Sequence, residues 1–290
     1  MKAAKLVSVW NYWTVFSAQE IVNRQKKNVF DYSESYQSWD EDLFYEIASS
    51  ELWFKNIVLS QRQREILWIL VKERNELEHI KKFNLPITSK LLLYWAPWTW
   101  KTLSAYCLAW ELWKKLYVVN LANLISSRLW ETSKNLDRIF SKARNEDAIL
   151  FIDEFDAISR TRDSVNEHWE IKRTVNVLLQ LFDIISDKLL VICATNRIKD
   201  MDDAILRRFD YKLEYPNPDK SQISLYLDFL QFSFNFKFKN ISVKNKMINS
   251  LNKNSYANIK NKMIGLLKQK IFFGKVTSNK IILTKDDIIE

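Results

Sequence analysis

The first 264 residues of this chain contain no glycine, and that absence limits what they can fold into more than any other feature. Glycine enters left-handed backbone conformations without steric penalty, so tight turns and helix ends are built on it. A chain of 290 residues with only Gly265 and Gly274 has almost none to spend, although soluble domains average about 7%. Tryptophan, normally scarce, occurs twelve times.

The hydropathy pattern nevertheless demands many turns. Leu91–Tyr94 and Ala148–Ile152 are continuous apolar runs, the mark of parallel strands covered on both faces. Leu116–Leu121, Leu189–Cys193 and Tyr211–Tyr215 read as further strands. Between them, apolar residues recur at helical spacing over Gln61–Phe83, Lys101–Leu112, Thr132–Arg144 and Ile171–Ile185. Strictly alternating strands and helices imply an α/β fold, a parallel sheet flanked by helices. Pro216 and Pro218 close that pattern, and the remainder reads as helix with one late strand, Ile281–Leu283. Three regions follow: 1–52, mostly short helices; 53–217, the α/β body; and 218–290, a small helical subdomain.

The stretch LLLYWAPWTWKT, Leu91–Thr102, locates the conflict. A strand followed by G-x-x-x-x-G-K-[ST] cradles phosphates: backbone N–H groups line the loop, lysine reaches the β- and γ-phosphates and the hydroxyl binds Mg²⁺. Here Lys101 and Thr102 are in place, but Trp95 and Trp100 occupy the glycine positions, with Trp98 between them. An indole at those points blocks close approach of phosphate oxygens and resists φ > 0. If tryptophan stands where the cell inserts glycine, the loop becomes Gly-Ala-Pro-Gly-Thr-Gly-Lys-Thr. Trp113 follows a helix where a glycine cap belongs, Trp130 reads as loop, and Trp169 lies at a loop-to-helix passage. Both position and composition therefore point to a UGA codon reassigned to glycine and rendered as tryptophan. The loop Trp95, Ala96, Pro97, Trp98, Thr99, Trp100 would then hold ATP with Lys101 and Thr102.

Three further motifs complete the chemistry. In AILFIDEFDA, four large apolar residues lead to Asp153 and Glu154 about fifty residues after the loop. With Thr102, Asp153 suits Mg²⁺; Glu154 suits a group that orients or polarises an attacking water. LLVICATN ends on Asn196, a polar group at the end of another buried strand. ILRRFD then supplies Arg207 and Arg208, whose planar forks match phosphate oxygens.

Taken together these motifs resemble the AAA subfamily of the AAA+ ATPases, over about Phe54 to Pro218 and more weakly beyond. The resemblance implies a P-loop NTPase sheet with a small helical lid, ATP and Mg²⁺ as ligands, and a homo-oligomeric ring, commonly a hexamer, that remodels a protein client. The alternatives are a nucleotide-dependent assembly or binding module with slow turnover, and a nucleic-acid remodeller using the basic C-terminal segment. The resemblance also implies that Asn196 helps place the water and that Arg207 and Arg208 act as arginine fingers on a neighbouring subunit's nucleotide, with Arg208, which adjoins Phe209-Asp210, as the main finger and Arg207 in support. Two departures stand out. In SSRLWET, Arg128 occupies the pore-loop position where many unfoldases carry an aromatic residue, and in NSYANIKNK, Tyr256 replaces a glycine before Ala257. With only His79 and His168 and no H-E-x-x-H, the sequence carries no zinc-protease motif.

The net charge of +9 is concentrated late: Ser233–Lys285 holds twelve lysines and no acidic residue. A solvated lysine-rich face accounts for this better than a nucleic-acid site, because neither arginine nor periodic aromatics accompany the lysines. Two cysteines in apolar surroundings and no run of membrane-spanning length complete an expected cytoplasmic, non-membrane protein.

Overall fold

The computed structural model describes residues 36–37, 44–47, 54, 57–97, 100–119, 121, 129–159, 168–273 and 280–288. Trp98, Thr99, Arg128 and most of residues 1–52 lie outside these. The chain divides into two units: residues 33–216, and a second that contains 217–290.

In the first unit, β1 (Tyr36–Gln37) and β2 (Phe44–Ile47) form an antiparallel pair. Helix α1 (Gln61–Asn75) precedes β3 (Lys90–Tyr94), which leads through the loop into α2 (Lys101–Glu111) and β4 (Leu116–Val119). Then come α3 (Leu129–Asn145), β5 (Ile149–Ile152), α4 (His168–Asp183), β6 (Leu190–Thr195), the short α5 (Asp203–Leu206) and β7 (Tyr211–Glu214). Among the described residues the sheet order is β1-β2-β4-β5-β6-β3-β7. The stretch β4-β5-β6-β3-β7 is parallel throughout, while β2 adds antiparallel to β4. This is the parallel sheet that the apolar runs imply.

Period-two alternation in fully buried strands sorts side chains between two cores. Leu92, Leu150, Ile152, Val191 and Cys193 face Leu136, Ile139 and Phe140 of α3 and Leu178 and Phe182 of α4. Leu91, Leu93, Phe151 and Ile192 face the opposite way, toward Leu67 and Leu70 of α1 and Ala105 and Leu108 of α2. In the first core Phe155, Phe182 and Phe209 form an aromatic triangle, with centroids 6.2, 5.9 and 5.6 Å apart. Phe155 follows Glu154 and Phe209 follows Arg208, so this packing fixes two chemical turns relative to each other. Phe182→Ala should lower unfolding stability by about 3–5 kcal/mol in chemical denaturation, through lost burial and the cavity it leaves.

Several local expectations change. Residues 44–47, placed in a region of short helices, form a strand whose Phe44 is buried against Tyr117 at 5.0 Å. The helix expected over Gln61–Phe83 ends at Asn75, and a separate short helix covers Leu77–Lys81. Trp130, expected in a loop, lies in the helix α3.

The segment 217–290 packs α6 (Lys220–Ser233), α7 (Ile241–Ser250) and α8 (Tyr256–Phe273) with β8 (Phe236–Phe238) and β9 (Ile281–Leu283), which pair in parallel. Asp219 caps α6 through a reciprocal capping box with Gln222, and Asn240 caps α7 by accepting from Val243 N. Tyr256 is buried edge-on against Tyr226, with centroids 5.1 Å apart, which explains an aromatic residue at the start of α8. The late strand Ile281–Leu283 is present, and its partner β8 is a strand the hydropathy pattern does not announce.

Candidate nucleotide site

In open parallel sheets, ligands bind beyond the carboxyl ends of the strands. Here β3, β6 and β5 are neighbours, with Tyr94 opposite Thr195 and Ile152 opposite Cys193. Their next residues, Trp95, Asn196 and Asp153, therefore emerge at the same end of the sheet, Trp95 level with Asn196 and Asp153 two residues behind it. The fold itself assembles the motifs.

Lys101 opens α2 and is buried. Its Nζ donates to Ala96 O at 2.7 Å, Trp95 O at 3.1 Å and Asn196 Oδ1 at 2.8 Å. The ammonium thus lies inside the loop, held by carbonyls that a phosphate can replace. Burial pushes its pKa down to about 8, against the opposing pull of Asp153 and Asp156. An anion arriving here offsets the desolvation that lowers the lysine's pKa, because added negative charge favours the protonated form.

Thr102 Oγ1 donates to Asp153 Oδ2 at 3.0 Å. A hydroxyl and a carboxylate in contact form a hard-oxygen pair of the kind Mg²⁺ accepts. Asp153 Oδ1 accepts from Glu154 N at 2.8 Å, and Phe155 N donates to Ala194 O at 2.8 Å, stitching this turn to β6. Glu154 is exposed and adopts φ 51°, a left-handed conformation that is uncommon for its residue type. Its carboxylate leaves the strand direction while Asp153 stays beside Thr102. The adjacent carboxylates therefore play different parts, one against the hydroxyl and one toward solvent.

The loop backbone bears on the tryptophan question. Trp95 has φ 97° and Trp113 has φ 54°. Around Trp113 the helix end is a Schellman motif: Lys114 N donates to Ala109 O at 2.9 Å and Trp113 N to Trp110 O at 3.1 Å. That motif needs a left-handed residue where Trp113 stands, and glycine is its usual occupant. Trp68 and Trp110, by contrast, lie within α1 and α2, where glycine brings no conformational gain.

Arg207 and Arg208 separate in role. Arg208 binds Asp183 in a two-pronged pair, Nε to Oδ1 at 2.9 Å and Nη2 to Oδ2 at 3.1 Å, and Nη1 reaches Ala204 O at 2.9 Å. Arg207 is exposed at the end of α5. In the sequence Asp183 reads only as the polar end of an amphipathic helix, with nothing to mark this pairing. Asp156 and Thr195 lie within the AILFIDEFDA and LLVICATN stretches, but the motifs give neither a role. Both are buried, and Thr195 Oγ1 donates to Asp156 Oδ1 at 3.2 Å and accepts from Arg197 N at 3.0 Å, tying the turn after β5 to the end of β6. A threonine closing the apolar run LVICAT is the one signal that could have found them.

Comparison with known proteins agrees with this geometry. Residues 91–217 match the family described as ATPase family associated with various cellular activities (AAA). The chain is 41% identical over 188 residues to an uncharacterized AAA family ATPase, y4kL, of Sinorhizobium fredii, covering 65% of this chain and 55% of that protein. It is 30% identical over 201 residues to ATP-dependent zinc metalloprotease FtsH 1 of Alkaliphilus metalliredigens, covering 67% and 34%. It is 33% identical over 170 residues to 26S proteasome regulatory subunit 8 homolog B of Arabidopsis thaliana, covering 56% and 41%. The chain thus spans about half or less of the length of these relatives. Residues 91–217 carry an AAA ATPase domain.

Proposed function

We propose that the AAA ATPase domain of residues 91–217 serves a Mg²⁺-dependent enzyme whose active sites are shared between subunits of a homo-oligomeric ring, a hexamer by family resemblance, and that it remodels a protein client. The observation that carries this reading is the convergence of Lys101, the Thr102–Asp153 pair, Glu154 and Asn196 at the ends of three adjacent strands. Each residue has a role its chemistry suits. Lys101 exchanges loop carbonyls for β- and γ-phosphate oxygens. Thr102 and Asp153 would hold Mg²⁺, which when bound supplies Lewis-acid charge to those oxygens. Glu154 orients the attacking water and takes up its proton, while Asn196 steadies the lysine and the water.

The charged and oxygen-bearing groups suit Mg²⁺ and ATP, whereas indoles in the loop do not. We therefore also propose that the native protein carries glycine where tryptophan is written. The positive φ at Trp95 and the Schellman position of Trp113 support that reading.

A ring explains two arginines with no role in their own subunit's phosphate loop. Arg207, exposed, would reach the neighbouring nucleotide, and Arg208, held by Asp183, would set the turn that presents it. Loss of either should leave ATP binding near normal and lower turnover, by about 10³-fold for a direct finger. Arg208→Ala mixed with Glu154→Gln should recover activity in part, because some interfaces then join an intact Glu154 to an intact Arg208. Co-assembly of the two without any recovery contradicts the shared site.

This chain's own partner is to be found by capture on the Glu154→Gln form. A cytoplasmic, non-membrane setting is part of this proposal. Among the described residues no helix is long and apolar enough to cross a membrane. Binding of nucleic acid by the lysine-rich segment is not favoured, since Lys244 and Lys270 there are already paired with Asp228 and Asp287 at 2.7 Å.

A further inference from the structure

Tyr215 stands where no motif accounts for it. Its backbone N–H donates to Tyr94 O at 2.8 Å, at the last residue before the phosphate loop. Its hydroxyl donates to Ser104 Oγ at 2.7 Å, two positions beyond Thr102 on α2. Tyr215 is 2% exposed and Ser104 fully buried. One residue therefore grips the chain immediately before the loop and the helix immediately after it.

The grip is itself anchored. The carbonyl of the preceding Glu214 accepts from Gln63 Nε2 at 2.7 Å. Gln63 is buried and locked to Ser60 by the capping box that starts α1. A continuous connection runs from α1 through the end of β7 to both flanks of the loop. Two features indicate that the hydroxyl pair sets geometry beyond filling space. A serine inside a helix is an indifferent helix former and adds little apolar contact at a fully buried position. A tyrosine hydroxyl at full burial requires a partner, and a directional hydrogen bond defines one spacing where apolar contact tolerates several.

We propose that Tyr215 is a positioning residue of the phosphate loop, strapping β3 to α2 so that the loop's N–H groups are aligned before nucleotide arrives. This rests on the reading that residues 95–102 bind nucleotide phosphates. A loop built on small residues cannot hold itself by side-chain packing, and its order must come from its ends. Preordering lowers the conformational cost of binding, so its loss appears in affinity.

The test uses the full chain with glycine at the twelve written tryptophans, titrated with a fluorescent ATP analogue and Mg²⁺, with thermal unfolding measured in parallel. Tyr215→Phe should weaken binding about tenfold and lower the melting temperature, because Ser104 Oγ loses its donor. Adding Ser104→Ala removes the second polar atom and should restore most of the melting temperature. Affinity should stay low in that double variant, with KM raised more than kcat is lowered. The proposal is overturned if Tyr215→Phe binds as tightly as the parent, or if the double variant regains stability and affinity together. A parent that binds no nucleotide is a separate result: it removes the phosphate-loop reading, and the strap with it.

Discussion

Glu154→Gln is expected to bind Mg²⁺·ATP with near-parental affinity and to hydrolyse it at least about 100-fold more slowly. The amide preserves the shape and hydrogen-bonding reach of the side chain but cannot take a proton from water. Glu154 is exposed, and Thr102 Oγ1 donates to Asp153 rather than to Glu154, so the substitution leaves the Thr102–Asp153 pair intact. Lys101→Ala provides the contrast. It removes a buried cation that bridges Ala96 O, Trp95 O and Asn196 Oδ1, and should weaken binding itself. Phosphate release and equilibrium binding, measured on both variants, separate the two roles. Normal turnover by Glu154→Gln would remove it from the chemistry.

The second large effect concerns the loop backbone. A tryptophan at φ 97° is strained, and relief by Trp95→Gly should stabilise the chain by about 1–3 kcal/mol. Trp113→Gly, at φ 54° in a Schellman motif, should also stabilise it, by about 1 kcal/mol. Glycine has its own entropic cost in the unfolded chain, so each net gain falls toward the lower end of its range. Trp68→Gly should act in the opposite direction, costing about 1 kcal/mol, because it interrupts α1 and removes the ring over which Lys72 Nζ lies at 5.5 Å. Function should respond more sharply than stability. A phosphate cradle works through close approach of N–H groups, so full glycine replacement in the loop should convert negligible ATP binding into ordinary affinity. Equal affinity in the two forms contradicts the proposed loop.

The parallel sheet was legible because its strands are buried on both faces and so appear as unbroken apolar runs, as in Leu91–Tyr94 and Ile149–Ile152. Tyr211–Glu214, with only Leu213 buried, was legible chiefly from its place between ILRRFD and Pro216. The strand Phe44–Ile47 was not, since its short FYEI run follows an acidic cluster and gains its identity by pairing with Tyr36–Gln37 on one side and Leu116–Val119 on the other. Phe236–Phe238 was obscured similarly: three residues become a strand through a partner more than forty positions away. At the site, residues that carry charge at fixed spacing, Lys101, Asp153 and Glu154, announced themselves. Those that act by holding others did not. Asp183 on Arg208, Asp156 under Thr195 and Tyr215 on Ser104 are long-range pairs, and no local pattern encodes them.

The most direct test of the glycine-loop ATPase lies in one peptide. Trypsin cleaves after Lys90 and Lys101, releasing LLLYWAPWTWK, which contains positions 95, 98 and 100 together. In protein isolated from its own host, the fragment mass of this peptide should show glycine at all three, completing a phosphate loop around Lys101. Three indoles in that peptide would contradict the account.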